Sequence, residues 1–328
     1  MPANIQSMFY AGEKPWHELG TKVLSELTSA EAIRKAGLNW TVGLSPVLYK
    51  GPAGKGVKAT TTRTMAEQFV TRRDDTGDAL GIVGNRYKIL QNKDAFSFFD
   101  AVVGQKAAMY HTAGALGVGE RIWILAKLPG DIVVKSVDKV EKFLLLTNSH
   151  DGKTTVVVKM TPIRVVCQNT LNAALNDGEE AAKLRHTSRI GQKVKDVRET
   201  IGLVNKMFEN LSEKFNFLAG KACGPKAFEG LLDHLGLSPK EEAKLDDGKR
   251  FQIVEDLLAR FEKGRGNDQP EIKNTWWTAY NAVAEYVDFS PLFSRARSAD
   301  ERTKSILFGQ GNILKERALV RSLEMARK

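Results

Sequence analysis

The pattern of apolar and polar positions is clearest in the middle of the chain. Two runs of β-branched and apolar residues, 143–147 and 154–160, flank residues 148–152, which end in an Asp-Gly pair suited to a chain reversal. This pattern predicts a long β-hairpin. The second strand should continue through Pro162, because apolar and β-branched residues resume directly after it.

The rest of the chain divides into segments with a strand-like or a helical period. Alternation and β-branched runs predict strands over 40–49, 68–73, 79–83, 107–116 and 121–128. Helical spacing predicts helices over 28–36 and over 93–103, and Asn92 can cap the second of these. After the hairpin, helices are predicted from near Leu171, capped by Asn169 or Thr170, and over 179–217, 225–235, 239–263, 275–289 and 305–328.

Two stretches lack a regular period. Residues 8–20 combine apolar side chains with Gly12, Pro15 and Gly20, which predicts an irregular N-terminal arm. Residues 51–58 contain two lysines and three glycines, which predicts a hairpin tip or a mobile loop. That loop lacks the glycine and lysine spacing of a phosphate-binding loop.

These elements together predict an α+β protein. It should have a central antiparallel sheet, with the long hairpin leading into a helix, and a mostly helical C-terminal half. We divide the chain into an N-terminal arm (1–27), an α+β sheet domain (28–178) and a helical C-terminal region (179–328). The aromatic residues at Trp276, Trp277 and Tyr280 share one face of a predicted helix, and we favour core packing over base stacking for them.

Arg164 stands out within the hairpin because it lies among Ile163, Val165 and Val166. An unpaired charge in such an apolar run would be costly to bury. Two interpretations remain open. Arg164 pairs with a carboxylate such as Glu120 or Glu141, or it faces a groove that binds an anion.

The charge balance adds a reason to consider nucleic acid. The formal net charge is +10, and a positive field favours polyanionic partners. Cations are crowded into the segment after the hairpin, where they can contact a phosphate backbone or simply form a solvated face. The residues that we predict to contact nucleic acid are Lys159, Arg164, Arg185, Arg189, Lys193, Lys195 and Arg198.

The remaining composition restricts the class of protein. Cys167 and Cys223 are the two cysteines and are far apart, so neither a disulfide framework nor a zinc ribbon is indicated. This fits a reducing cytoplasm. No apolar run approaches the roughly 20 residues that span a bilayer, so we expect no membrane association.

Signs of catalysis are sparse. The five histidines are scattered without metal-ligand spacing, so we expect no metal and no cofactor. Cys167 with His150 as its base would be a nucleophile, yet no family signature surrounds them, and a buried cysteine is more often inert. The question of enzymatic activity stays open, with the balance against it.

Several motifs resemble a known family. They are PWHELG at 15–20, HTAGALGVGERIW at 111–123, NSHDG at 148–152, PIRVVCQNTL at 162–171 and TWWTAYNAVAEY at 275–286. Together they resemble the phage/plasmid-like protein family built around a domain of unknown function. The resemblance implies an origin in phages or plasmids and assigns no catalytic residue.

The order of elements is also similar to that of single-strand annealing proteins of the RecT and Redβ kind. These proteins hold single strands in a basic groove between a hairpin and a helix. The similarity implies a DNA-binding protein of a mobile element that anneals single strands, or mediates recombination, as a homo-oligomer. The alternative is a non-enzymatic protein-interaction factor, such as a host-defence antagonist or a structural subunit, with a host or phage protein as its partner.

Overall fold

A computed structural model describes residues 5–11, 20–24, 27–51, 62–103, 109–164, 169–170, 182–184, 197–237, 247–293, 305–306 and 309–328. The strands in these ranges are β1 (Ile5–Ala11), β2 (Thr21–Val23), β3 (Val42–Lys50), β4 (Thr62–Arg73), β5 (Ala79–Gly84), β6 (Met109–Leu116), β7 (Arg121–Val134), β8 (Asp138–Ser149), β9 (Val156–Met160), β10 (Ile163–Arg164), β11 (Asn169–Thr170) and β12 (Ala182–Leu184). The helices are α1 (Ser29–Lys35), α2 (Asn92–Val103), α3 (Val197–Ala219), α4 (Pro225–Leu235), α5 (Asp247–Lys263), α6 (Trp276–Phe289) and α7 (Gln310–Met325). The predicted α+β class is confirmed.

The larger of two sheets has the strand order β11-β10-β8-β7-β6-β1-β2, and β9 and β12 continue it from β8. Its pairs are antiparallel, apart from the parallel pair of β1 and β2. On β7, Ile122 and Ile124 belong to the main core, whereas Leu125 belongs to a small cluster with Phe143. Apolar residues follow one another along this strand because both of its faces are covered.

The N-terminal segment differs from the irregular arm that we expected. Ile5–Ala11 forms strand β1, which lies between β6 and β2 in the large sheet. Phe9 is fully buried and pairs with Ala113, one of the small residues of β6. At the neighbouring Gly114 an added Cβ would lie 2.4 Å from the Ser7 carbonyl oxygen. The residues that suggested irregularity, Gly12 and Pro15, come after the strand has ended.

The smaller sheet has the order β3-β4-β5 and contains the strands predicted there. Helix α1 is present as predicted, and its N-cap is Thr28, whose side chain accepts a hydrogen bond from the backbone N–H of Glu31. The Glu31 side chain bonds back to the Thr28 backbone, which completes a capping box. Helix α2 begins at Asn92 as predicted, but the side chain of Asn92 binds outside the helix. Its Nδ2 donates to the Leu38 carbonyl at 3.0 Å, and its Oδ1 lies 2.9 Å from His150 Nε2.

The turn at residues 148–152 connects the two sheets. Ser149 and His150 are fully buried, whereas a hairpin turn is usually exposed. From the small sheet, Thr71 Oγ1 donates to the His150 carbonyl at 2.7 Å. From the connection before α2, the Tyr87 hydroxyl donates to the Ser149 carbonyl at 2.9 Å. These bonds supply the partners that water would otherwise provide.

The C-terminal helices pack on the large sheet through α3, which contacts β7, and through α6, which contacts β11. The side chains of residues 276–288 are buried, so the predicted core role of its aromatic residues is confirmed. Trp277 Nε1 donates to Asp138 Oδ2 at 2.7 Å, and the Trp277 ring lies 4.6 Å from that of Phe215. A buried ion pair of 2.8 Å between Lys315 and Asp288 joins α7 to α6. The domain limits drawn from the sequence stay a prediction.

None of the helices in the described part of the chain combines the length and the apolar character needed to cross a bilayer.

Replacing Gly81 by alanine should test how closely the small sheet packs on the buried turn. An added Cβ at Gly81 would lie 2.5 Å from Asp151 Cα and 2.7 Å from its carbonyl oxygen, so the backbone must move. We expect Gly81→Ala to lower the free energy of unfolding by about 1–3 kcal/mol. Urea denaturation measures this.

The control is Gly84→Ala on the same strand, where the atom nearest to an added Cβ is 4.0 Å away. We expect this control to change the free energy of unfolding by no more than about 0.5 kcal/mol. Equal changes at both positions would contradict close packing on the turn.

Candidate nucleic-acid interface

The long hairpin predicted from the sequence is present. Strands β8 and β9 are antiparallel, with Leu144 opposite Met160. Strand β10 also pairs with β8, and Ile163 lies opposite Glu141, so β9 and β10 keep one register on the two sides of Pro162. Between them, the backbone N–H of Thr161 donates to the Phe143 carbonyl at 2.8 Å. The predicted continuation of the strand through Pro162 to Cys167 is therefore confirmed as far as Arg164. Residues 165–167 lie outside the described residues.

The chain after Arg164 differs in part from the prediction. Asn169–Thr170 forms β11, which pairs back onto β10, and the helix predicted from Leu171 lies outside the described residues. The helix predicted over 179–217 is wrong at its beginning, because Ala182–Leu184 forms β12 on the edge of β9. Strand β12 takes up the backbone hydrogen bonds on the edge of β9 away from β8, and a sequence pattern does not reveal that such an edge is available. Helix α3 begins at Val197.

The predicted nucleic-acid-binding residues are placed to different degrees. Lys159 lies on β9, is partly buried, and its Nζ donates to Asn312 Oδ1 on α7. Arg164 lies on β10 opposite the buried Val140, and Arg198 lies in the first turn of α3; neither side chain is among those described. Arg185, Arg189, Lys193 and Lys195 lie outside the described residues.

The two carboxylates considered as partners of Arg164 have contacts of their own. Glu141 forms an ion pair with Lys127 Nζ across the β7–β8 pair. Glu120 Oε2 accepts a hydrogen bond from the Val118 backbone N–H at 2.8 Å. Both carboxylates therefore have a local structural role, and the two interpretations of Arg164 stay predictions.

His111 lies beside the Lys127–Glu141 pair on the same sheet. Its ring is 4.9 Å from the ring of Phe143. Burial lowers the pKa of His111 below its ordinary value; the Glu141 carboxylate opposes this shift and Lys127 adds to it. The imidazole therefore holds its proton less tightly in the folded protein than in the unfolded chain.

The residues considered for catalysis have structural surroundings where they are described. His150 is fully buried, bound to Asn92, and its ring lies edge-on to Trp40 with a centroid distance of 5.5 Å. Cys167, its suggested partner, lies outside the described residues. Burial raises the pKa of the Cys223 thiol to about 12, which keeps it protonated and unreactive. Among the described side chains, no cluster of three or more His, Cys, Asp or Glu residues could hold a metal ion.

One cationic region was missed by the sequence reasoning. Lys50 and Arg63 lie on the exposed ends of β3 and β4, beside the segment that we interpreted as a hairpin tip or mobile loop. A signal for it exists in the sequence, because no Asp or Glu occurs between positions 32 and 66.

Comparison with known protein families identifies a match. The model of a protein family described as a domain of unknown function (DUF932) matches residues 79–307, which include β5–β12 and α2–α6. No curated protein matches the chain, and no solved structure does.

The environment of His111 predicts a contribution to the pH dependence of stability. The pKa of His111 is lower in the folded protein than in the unfolded chain. Its contribution to the free energy of unfolding is therefore complete above the ordinary histidine pKa of about 6.5, and this contribution is lost as the pH falls below that value. The His111→Gln variant should therefore lose less stability than the wild type between about pH 7 and pH 5. Urea denaturation at both pH values measures this, with His234→Gln, at an exposed position, as control. Identical losses in the wild type and His111→Gln would contradict the prediction.

Proposed function

The chain belongs to the family defined by the domain of unknown function DUF932, and from its distribution of charge we propose that it is a DNA-binding protein of mobile elements. In this proposal it binds single-stranded DNA and mediates annealing or recombination as a homo-oligomer. The family assigns no activity, so the proposal depends on the arrangement of cations around the hairpin.

One observation carries the proposal. Strand β12 pairs with β9, with Lys183 opposite Val157, and this attaches the start of the basic segment to the outer edge of the hairpin. Between positions 181 and 195 the sequence has five cations and no Asp or Glu. A hairpin edge joined to an acid-free segment is a suitable support for a phosphate backbone.

The proposed mechanism is neutralisation of phosphates without reading of bases. Lys159 lies on β9 and Arg164 on β10, which both pair with β8, and the basic segment begins beside β9. Asn312 offers Lys159 a neutral acceptor, so this hydrogen bond orients the ammonium group without removing its charge. Contacts to phosphates leave the bases exposed, and a second strand can then pair with them. The full set is Lys159, Arg164, Arg185, Arg189, Lys193, Lys195 and Arg198.

Salt dependence of binding tests the proposal. We assume that each of these seven cations neutralises one phosphate. Each such contact on a single strand contributes roughly −0.7 to the slope of log binding constant against log salt concentration, so we expect a slope of about −5. Fluorescence anisotropy with a labelled oligonucleotide measures the slope. Absent or salt-independent binding contradicts the proposal.

A double charge reversal locates the interface. We expect Arg189→Glu with Lys193→Glu to weaken single-strand binding by roughly tenfold or more, because two phosphate contacts become repulsive. The matched control is Lys226→Glu with Lys273→Glu, which makes the same charge change at two exposed lysines of the helical half. Circular dichroism should show both variants folded. Equal losses in both would show that net charge, and not the basic segment, governs binding.

A native mass measurement and an annealing assay with complementary oligonucleotides complete the test. An oligomer that speeds annealing supports the proposed function. Capture of one host or phage protein, together with no affinity for nucleic acid, would favour the alternative of a protein-interaction factor.

A further inference from the structure

The small sheet extends into a two-stranded ribbon. Strand β5 pairs with β4 only from Gln68 onwards, whereas β3 and β4 continue to pair beyond it, with Leu48 opposite Thr64, Tyr49 opposite Arg63 and Lys50 opposite Thr62. A register shift separates these pairs from the rest of the sheet, and Glu67 at this point has a φ of 59°. We refer to residues 48–50 and 62–65 as the β3–β4 arm.

Both faces of the β3–β4 arm are exposed. Successive residues of a strand point to opposite faces, so Leu48 and Lys50 share one face while Tyr49 and its partner Arg63 share the other. Leu48 is 60% exposed and Tyr49 is 45% exposed. Met65, next along β4, is 48% exposed. Apolar side chains on both faces of a thin ribbon indicate a surface that contacts a partner.

The charge of the arm defines the chemistry of that partner. No Asp or Glu occurs between positions 32 and 66, and each face of the arm has one cation, Lys50 on the first and Arg63 on the second. Neither cation forms an ion pair with a side chain in the described ranges. An anionic partner would therefore meet cations with no competing carboxylate on the arm.

We propose that the β3–β4 arm enters a groove of double-stranded DNA. The major groove of B-form DNA admits a two-stranded ribbon. Its two walls are lines of phosphates, so a ribbon inside it needs a cation on each face, as Lys50 and Arg63 provide. A single strand lying along the ribbon would use the cation of one face only. The exposed Leu48, Tyr49 and Met65 then contact sugars and thymine methyl groups within the groove.

A second copy of the chain is a poor occupant. Two acid-free arms would place cation against cation, in a protein whose net charge is already +10. Cations on exposed strands also oppose pairing between sheet edges. The arm is a surface separate from the hairpin edge. The inference about the arm rests on the proposed function only in that the partner is DNA.

The test uses the full-length protein, a duplex of about 30 base pairs and a single strand of the same length. The arm variant is Lys50→Glu with Arg63→Glu, and the control is Lys226→Glu with Lys273→Glu, which changes the net charge equally. We expect the arm variant to lose at least roughly tenfold more duplex affinity than the control. The slope of its log binding constant against log salt concentration should become shallower by about 2, because each lost phosphate contact on B-form DNA removes roughly 0.9. Single-strand affinity should match that of the control.

Several results would overturn the inference. The first is an equal loss of duplex affinity in the arm and control variants, and the second is a wild-type protein that does not bind duplex. The third is an arm variant that loses as much affinity for the single strand as for the duplex. If the wild type does not bind duplex, and an acidic protein binds the wild type but not the arm variant, that protein and not DNA is the partner of the arm. If charge reversal impairs folding, Lys50→Gln with Arg63→Gln makes the same test with a smaller expected loss.

The two proposals fail separately. Loss of single-strand binding in Arg189→Glu with Lys193→Glu reports on the hairpin edge, and loss of duplex binding in the arm variant reports on the arm. A protein that binds duplex through the arm but does not bind or anneal single strands would refute the proposed function and keep this inference.

Discussion

Burial of residues 148–151 in the turn between β8 and β9 is the constraint on which the other contacts depend. Its backbone groups are shielded from water, and each one left without a hydrogen bond would cost about 1–3 kcal/mol. Thr71, Tyr87, Glu120 and Asn92 supply those bonds to the turn or to its histidine. The small sheet, the start of α2 and the large sheet must therefore be in place together. The hairpin is fixed at its turn, unlike a hairpin that projects into solvent.

This constraint bears on both proposed surfaces. Because the turn of the β8–β9 hairpin is enclosed, we assign the proposed DNA contact to strand β12 on the edge of β9 and to the basic segment that begins there. The small sheet, held against the turn by Gly81 and Thr71, leaves the far ends of β3 and β4 projecting. Thus the contact that fixes the hairpin also orients the arm. The β3–β4 arm and the basic segment are separate in sequence. The arm belongs to the small sheet and the start of the basic segment belongs to the large sheet, and the two sheets meet at this turn.

Prediction succeeded where the signal was local. The β8–β9 hairpin, helix α1 and the buried aromatic face of α6 follow from turn chemistry, cap residues and period. It failed for β1 and β12, which are strands because β6 and β9 present edges for them. Of the candidate site, the sequence indicated the cations and the strand that contains Lys159 and Arg164. It did not indicate that Asn312 binds Lys159, because that contact joins residues 153 positions apart.

The sequence by itself determined the α+β class, most element positions and the excess of positive charge, because period, caps and composition are properties of neighbouring residues. Only the tertiary structure decided that residues 148–151 of the turn are enclosed, that the start of the basic segment pairs with β9, and that Lys50 and Arg63 occupy opposite faces of a projecting ribbon. Strand pairing and burial depend on hydrogen bonds and packing between distant segments, and a local pattern contains no information about which distant edge will be available.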